Sequence, residues 1–243
     1  IITGLRNKLD QCEIKTGQAV TAIAPQKSGY AVQVGDENHH ADALVITTSA
    51  YQAADWISPW NSGLSKKLGE IAYVSTATVS LGFRQKDVRH PLNGFGFVIP
   101  RREGSPLMAS TWSSTKFPGR APKDHVLIRV FAGGAHREAI LNQDDAGIID
   151  TVRKELRHIM GIDAEPVVSR VFRWNKANAQ YHVGHLDLIS EIEKETQQHP
   201  GLFLAGAAYR GVGIPDCIQQ GQDTAEKLTQ LLIKNRISSS SSR

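Results

Sequence analysis

Two periods of apolar spacing divide this chain. Ile1, Ile2, Leu5 and Leu9 recur at helical intervals and predict a helix reaching Leu9. Residues 18–23 and 30–34 read as strands around a turn at Ser28-Gly29, and 43–47 as a short apolar strand. Thr47-Thr48-Ser49-Ala50 then leads into a helix. From residue 58 the pattern changes. Residues 72–83 alternate and are rich in Val and Thr, as a long antiparallel strand would be, and 96–99, 107–112, 126–131 and 167–174 follow as shorter strands. Residues 144–160 give the clearest helix. Ile149, Val152, Leu156 and Ile159 form its stripe, Asp144 or Asp145 can cap it, and Gly161 can end it. A surface helix is expected over 186–198. The chain closes with a short apolar strand at 202–204, a glycine-rich turn and a helix to Leu232.

The fold class these elements predict is mixed α/β (α+β): α/β segments at both ends of the chain flank an antiparallel sheet with packed helices. The low-complexity tail, Ser238 to Ser242 and Arg243, is expected to have no structure. No internal repeat is visible.

Composition narrows the functional classes. The chain has 243 residues, 40% hydrophobic and 21% charged, the profile of a globular protein with a sizeable core. The net charge of +4 is scattered, and no basic run interleaves with aromatics, so nucleic acid is not an expected partner. Cys12 and Cys217 are the only cysteines, which fits a reducing, cytoplasmic setting. No apolar run approaches the ~20 residues of a membrane helix, and no signal peptide stands out. The first residue is Ile, inside a helical pattern, as expected for a piece of a longer polypeptide. His39-His40 follows an acidic turn and is expected to face solvent. His182 and His185 stand three apart with no third ligand placed by spacing, so metal is not expected.

The most telling stretch is Gly-Leu-Phe-Leu-Ala-Gly-Ala-Ala-Tyr-Arg-Gly-Val-Gly-Ile-Pro-Asp, from Gly201 to Asp216. A buried strand ends at Leu204. Gly206, Gly211 and Gly213 permit close backbone approaches. Pro215 suits a helix start and Asp216 an N-cap. Ile218, Gly221, Ala225, Leu228 and Leu232 then make an apolar stripe, its small pair allowing close packing on a sheet. The first turn of such a helix has free amides and partial positive charge, ready for a phosphate or a reduced flavin ring. The same pattern also serves as a plain strand-to-helix connection.

This stretch, GLFLAGAAYRGVGIPDCIQQG, resembles the C-terminal flavin motif of the oxygen-dependent protoporphyrinogen and coproporphyrinogen oxidases of haem biosynthesis, members of the amine-oxidase-like FAD superfamily. Three other stretches resemble the same family in order: GLRNKL…VTAI…GYAVQV, DALVITTSAYQAADWI and RWNKANAQYHVGHLDLI. In the last, Asn178-Ala179-Gln180 stands where the family favours Pro. The GVGIPDC wording is closer to the Firmicute-type enzymes, whose expected substrate is coproporphyrinogen III. The resemblance covers nearly the whole chain but only about the second half of a family member. The Gly-x-Gly-x-x-Gly turn and the ribose-binding acid are not in this sequence.

The resemblance implies part of a Rossmann-like FAD/NAD(P)-binding domain over 1–57 and 175–236, a substrate-binding domain over 58–174, and a flexible tail over 237–243. It implies FAD as cofactor, a porphyrinogen and O2 as reactants, and the absent N-terminal half as partner. Peripheral membrane contact would come only through that absent part. By resemblance, the backbone of Val20 meets the adenine and Trp174 lies near the flavin ring. Val212, Gly213 and Ile214 run along that ring. Thr47, Thr48 and Ser49 lie under the pyrophosphate or cap a helix. Arg101, Arg102 and Arg129 are candidate anchors for substrate carboxylates. No catalytic acid–base pair is identified, and hydride removal to a flavin does not require one. A related amine-oxidase- or desaturase-like flavoprotein, or a non-catalytic fragment unable to hold FAD alone, are the other expectations.

Overall fold

The computed structural model describes residues 1–240. In chain order, its elements begin with α1 (Ile2–Arg6), β1 (Val20–Pro25), β2 (Tyr30–Val34), β3 (Glu37–Ala41) and β4 (Leu44–Ile46). Helices α2 (Ala50–Ile57) and α3 (Ser62–Gly69) follow, then β5 (Ala72–Arg84), β6 (Gly96–Val98), β7 (Leu107–Trp112), the short α4 (Ser113–Lys116) and β8 (His125–Gly133). The chain ends with α5 (Asp145–Met160), β9 (Val168–Gln180), α6 (His185–Thr196), β10 (Leu202–Leu204) and α7 (Ile214–Ser240).

Two compact units result. The first comprises Ile1–Ile71 and Val183–Arg243, the second Ala72–His182. Two small sheets build the first unit: an antiparallel β1-β2-β3 and a parallel pair of β4 and β10. In the pair, Leu44, Val45 and Ile46 stand opposite Leu202, Phe203 and Leu204. Ala50, Ala53 and Ala54 bury one face of α2, Leu64 and Leu68 one face of α3, and Ile189 and Ile192 one face of α6. The Tyr30 hydroxyl, on a side chain only 2% exposed, donates to the carbonyls of His199 (3.2 Å) and Pro200 (3.1 Å) and so ties the β1-β2-β3 sheet to the chain entering β10. Burial raises its phenol above the ordinary value, which keeps it a donor.

The second unit is a five-stranded antiparallel sheet in the order β6-β7-β8-β5-β9. On one face Val79, Leu81 and Phe83 of β5 and Ile128, Val130 and Ala132 of β8 pack with Ile148, Val152 and Leu156 of α5. Asp144 caps α5 by accepting from the Gly147 amide at 2.8 Å, and Gly161 ends it in the left-handed region at φ 65°.

Several expectations shift. The first helix stops at Arg6, and Ile1, Ile2, Leu5 and Leu9 are all exposed, so no packing extends it. His39 and His40 lie on β3, a strand not foreseen; His40 Nε2 is 2.7 Å from the Ser28 carbonyl oxygen. The buried stripe of α5 is Ile148, Val152, Leu156 and Met160, while Ile159 is 42% exposed. The two candidate stripes share Val152 and Leu156, and contact with the sheet selects between them. The last sheet strand does not end at Trp174. Between Trp174 and Asn178, opposite Thr76 and Val74 of β5, it jumps register and then runs on to Gln180. At this bulge Lys176 takes φ 44°, and its amide donates to Ser75 Oγ at 3.1 Å. Finally, α7 continues through Ser240, where no structure was expected, because adding a turn to an existing helix costs little. Residues 241–243 of that tail lie outside the described residues.

Truncating Leu156 to Ala should cost about 2–5 kcal/mol, while the same change at Ile159 should stay within about 0.5 kcal/mol. Urea denaturation of the two variants checks the choice of stripe.

Candidate flavin site

The parallel pairing of β4 and β10 is the starting point. Parallel strands deliver their following loops to the same end, and ligands of α/β sheets bind outside those carboxyl ends. After β4 comes Thr47-Thr48-Ser49, and after β10 the loop from Ala205 to Gly213. The Ala205 amide donates to the Ile46 carbonyl at 3.1 Å, so the two loops start side by side. Gly206, at φ 128°, faces the Thr47 carbonyl, which lies 3.6 Å from where a Cβ would stand. Both threonines are exposed, and Thr48 Oγ1 donates only weakly, at 3.4 Å, to the adjacent Ser49 carbonyl.

Helix α6 and the start of α7 hold the glycine loop. His185, buried at the start of α6, sets its Nε2 2.9 Å from the Tyr209 carbonyl oxygen. Arg210 forms a two-pronged pair with Glu193 of α6, with Nε to Oε1 and Nη2 to Oε2 both at 2.7 Å. The Arg210 hydrogen bond holds the Glu193 carboxyl below its ordinary range, against a smaller opposing effect of burial. Gln220 Oε1, in the second turn of α7, accepts from the Gly206 amide at 3.4 Å. His185 is therefore a loop anchor, and no group of three or more potential metal ligands occurs among the described residues.

The helix start differs from the bare terminus expected. The Cys217 amide bonds to the Gly213 carbonyl at 3.0 Å, which makes Gly213 the N-cap, with Pro215 and Asp216 as the second and third helical residues. Asp216 thus caps from inside: its Oδ2 accepts from the Gly213 amide at 3.1 Å, the reciprocal half of a capping box. Pro215 costs nothing there because first-turn amides have no intrahelical partner. Gly211 is at φ 133°, and a Cβ on it would stand 2.6 Å from Asp216, so no other residue fits. With a carboxylate already on the terminal amide, a phosphate would meet like charge. The residues present suit the edge of a ring better than a phosphate: Val212 (62% exposed) and Ile214 (61%) flank a glycine backbone free of side chain.

The site residues named from sequence fall in different places. Val212, Gly213, Ile214 and Val20, at the start of β1, lie in the first unit; Trp174, Arg101, Arg102 and Arg129 lie in the second. Trp174 is 50% exposed and donates through Nε1 to Thr78 Oγ1 at 3.2 Å. Arg101 and Arg102 sit on a 3-10 turn after β6, where Arg102 pairs with the adjacent Glu103 at 3.3 Å, both largely exposed. Arg129 lies in mid-strand on β8. The apolar stripe of α7 does not pack on the sheet: Ile218 is half exposed and a Cβ on Gly221 would meet nothing. Instead its Gln220, Asp223 and Lys227 side helps line a cavity of about 620 Å³ with α6 and β10, which none of the named flavin residues borders. Sequence reasoning missed His185, Glu193 and Arg210. Their signal was weak: a histidine and an arginine inside family-like stretches, with roles visible only once α6 lies against the loop.

A parallel strand pair opening onto a glycine-rich turn is the arrangement in which α/β folds meet a ligand at the carboxyl ends of their strands. Residues 1–229 match the flavin containing amine oxidoreductases, and the chain belongs to that family. It is 34% identical over 230 residues to a coproporphyrinogen III oxidase of Bacillus subtilis (strain 168), covering 91% of this chain and 47% of that protein. It is 27% identical to the chloroplastic protoporphyrinogen oxidase of Nicotiana tabacum, over 90% of this chain and 43% of that protein. A solved structure from Exiguobacterium sp. 255-15, assigned as a protoporphyrinogen oxidase, superposes with TM-score 0.84 at 28% identity, over 93% of this chain and 49% of that one. Putrescine oxidase, at 13% identity and TM-score 0.65, shares the fold. The chain spans about half the length of the curated relatives it matches. No helix among the described residues is long and apolar enough to cross a membrane.

The Glu193–Arg210 pair should make the loop sensitive to acid. Glu193's folded value is depressed, so its contribution is present above the ordinary carboxylate range and is lost as pH falls through the lower folded value. The Tyr209 amide, which donates to the Gly206 carbonyl at 3.2 Å, should lose protection relative to its intrinsic exchange rate in that window. In Glu193→Gln its protection should be low at all pH values, which hydrogen-exchange mass spectrometry can read.

Proposed function

We propose that this chain is the C-terminal portion of an FAD-dependent porphyrinogen oxidase of haem biosynthesis. Its substrate would be coproporphyrinogen III or protoporphyrinogen IX. The observation that carries this reading is the glycine-rich turn at the carboxyl ends of β4 and β10, within a chain whose matches to porphyrinogen oxidases cover nine-tenths of it. The greater identity to the Bacillus protein favours coproporphyrinogen III.

Bound FAD would supply the hydride acceptor for the porphyrinogen, six electrons in all, with O2 as the final oxidant and hydrogen peroxide as its product. This chain's residues contribute position and exclusion of water. Val212 and Ile214 would cover the ring edge, and Gly213 would let the backbone approach it. Asp216 fixes the turn as a cap and moves no proton. Val20 would present its backbone to the adenine, and Trp174 would supply an apolar wall near the ring. Arg101, Arg102 and Arg129 are the candidates for substrate carboxylates. Thr47 and Thr48 supply hydroxyls and amides beside Gly206, whereas the glycine-rich phosphate loop and the ribose acid would come from the other half of the enzyme. The setting proposed is cytoplasmic, with any membrane contact made outside these residues.

The 243-residue chain alone should purify nearly colourless and bind FAD weakly; stoichiometric yellow flavin in it would overturn the split of the site between two halves. With both halves present, anaerobic addition of coproporphyrinogen III should bleach the flavin, and bleaching by an amine but not by a porphyrinogen would reassign the substrate. In that complete enzyme Gly213→Leu should lose flavin, because a Cβ there already stands 2.7 Å from Asp216 Oδ2 and the side chain would enter the ring's space. Normal flavin content would remove Gly213 from the site.

A further inference from the structure

The five-stranded sheet buries one face under α5, but its other face is half-buried or exposed and carries a patterned set of side chains. Register defines the rows. Arg170 of β9, Ser80 of β5, Arg129 of β8 and Thr111 of β7 stand opposite one another in one row. The next row holds Phe172, Thr78, Phe131 and Ala109, and beyond it Trp174 faces Thr76. Neighbours along a strand in these rows are two residues apart, so all point to the same side of the sheet. The core residues Val79, Val130 and Val171, which lie between the first two rows, point to the other.

The charged row has unusual chemistry for a sheet. Two guanidinium groups flank one serine, and their Cα atoms are about 10 Å apart, two strand spacings. Long arginine side chains on either side of Ser80 can converge on one oxyanion, with the hydroxyls of Ser80 and Thr111 completing the donors. None of the three rows contains an Asp or Glu. Arg170 donates to the adjacent Ser169 carbonyl at 2.9 Å, and both arginines are exposed and lack a carboxylate partner among the described residues. Arg173, one residue off this face, shows the contrast: it pairs with Asp145 of α5. Phe172, in the row beside the arginines, is 54% exposed, and Trp174, in the row beyond, is 50% exposed. A cation pair beside an aromatic strip matches a ligand with an apolar body and carboxylate arms.

We infer that Arg129 and Arg170, on either side of Ser80, form a carboxylate cradle for an acid side chain of the substrate, with Phe131, Phe172 and Trp174 against its apolar body. The identification of that substrate as a tetrapyrrole rests on the porphyrinogen reading above; the cradle rests on the sheet's register. Arg170 is new as a substrate anchor. Arg101 and Arg102, on their turn after β6, stand outside the rows.

The test is a fluorescence titration of the 243-residue chain with coproporphyrin III, which has four carboxylates, and with its tetramethyl ester, which has none. The cradle requires that the acid bind more tightly than the ester. Arg129→Gln and Arg170→Gln should each weaken acid binding about tenfold, the size of one charge-assisted hydrogen bond. Ester binding and the thermal melting midpoint should not change, and Arg170→Lys should recover part of the loss. If wild type and both Gln variants bind the acid equally, the cradle is wrong and the porphyrinogen reading stands. If wild type binds neither porphyrin, the cradle is wrong, and the porphyrinogen reading stands or falls on the flavin bleaching of the two-half enzyme.

Discussion

Everything in the first unit depends on one long-range pairing, that of β4 with β10. Each strand is three residues long and could not persist by itself. Side by side and parallel, they bring two loops far apart in sequence to the same edge. The bond from the Ala205 amide to the Ile46 carbonyl sets their relative height, and the Tyr30 hydroxyl, gripping two carbonyls before β10, couples the β1-β2-β3 sheet to the same point. Parallel pairing carries this constraint because its bonds fix direction as well as proximity. An antiparallel pair would send the glycine loop to the opposite end from Thr47.

Given that pairing, the shape of the glycine loop is set from two sides. Helix α6 grips it through His185 and Glu193, and α7 grips it through Gln220 and Asp216. The internal capping by Asp216 changes the chemistry of the turn. A free helix start would attract phosphate, whereas one already holding a carboxylate leaves apolar Val212 and Ile214 as the surface to be covered. The turn therefore presents an apolar surface where an uncapped helix start would present a charged one.

The second unit works by a separation of faces. Period-two alternation sends Val79, Leu81, Ile128 and Val130 into the core beneath α5 and sends Ser80, Arg129 and Arg170 to the other side. The alternation of β5 and β8 is legible in the sequence. The row that joins Arg129 to Arg170 is not, because it needs the register of three strands. A slip of one residue in β9 would place Ser169 or Val171 beside Ser80 in its stead.

By itself the sequence determined the elements whose signals are local. These are the capped α5, the long alternating β5, the glycine-rich turn, and the family motifs that name a flavoprotein. It misjudged features that packing decides: which stripe of α5 is buried, how far β9 continues past its bulge, and which side of α7 faces its neighbours. Asp216 illustrates the boundary. Its capping role follows from residue type and position near a helix start, but whether it caps from outside or from the third helical residue depends on where the Gly213 carbonyl finds its first amide. Local propensity can say that a turn forms here. Only the tertiary structure fixes what the turn faces, because that is set by partners distant in sequence, and neither period nor composition encodes their distance.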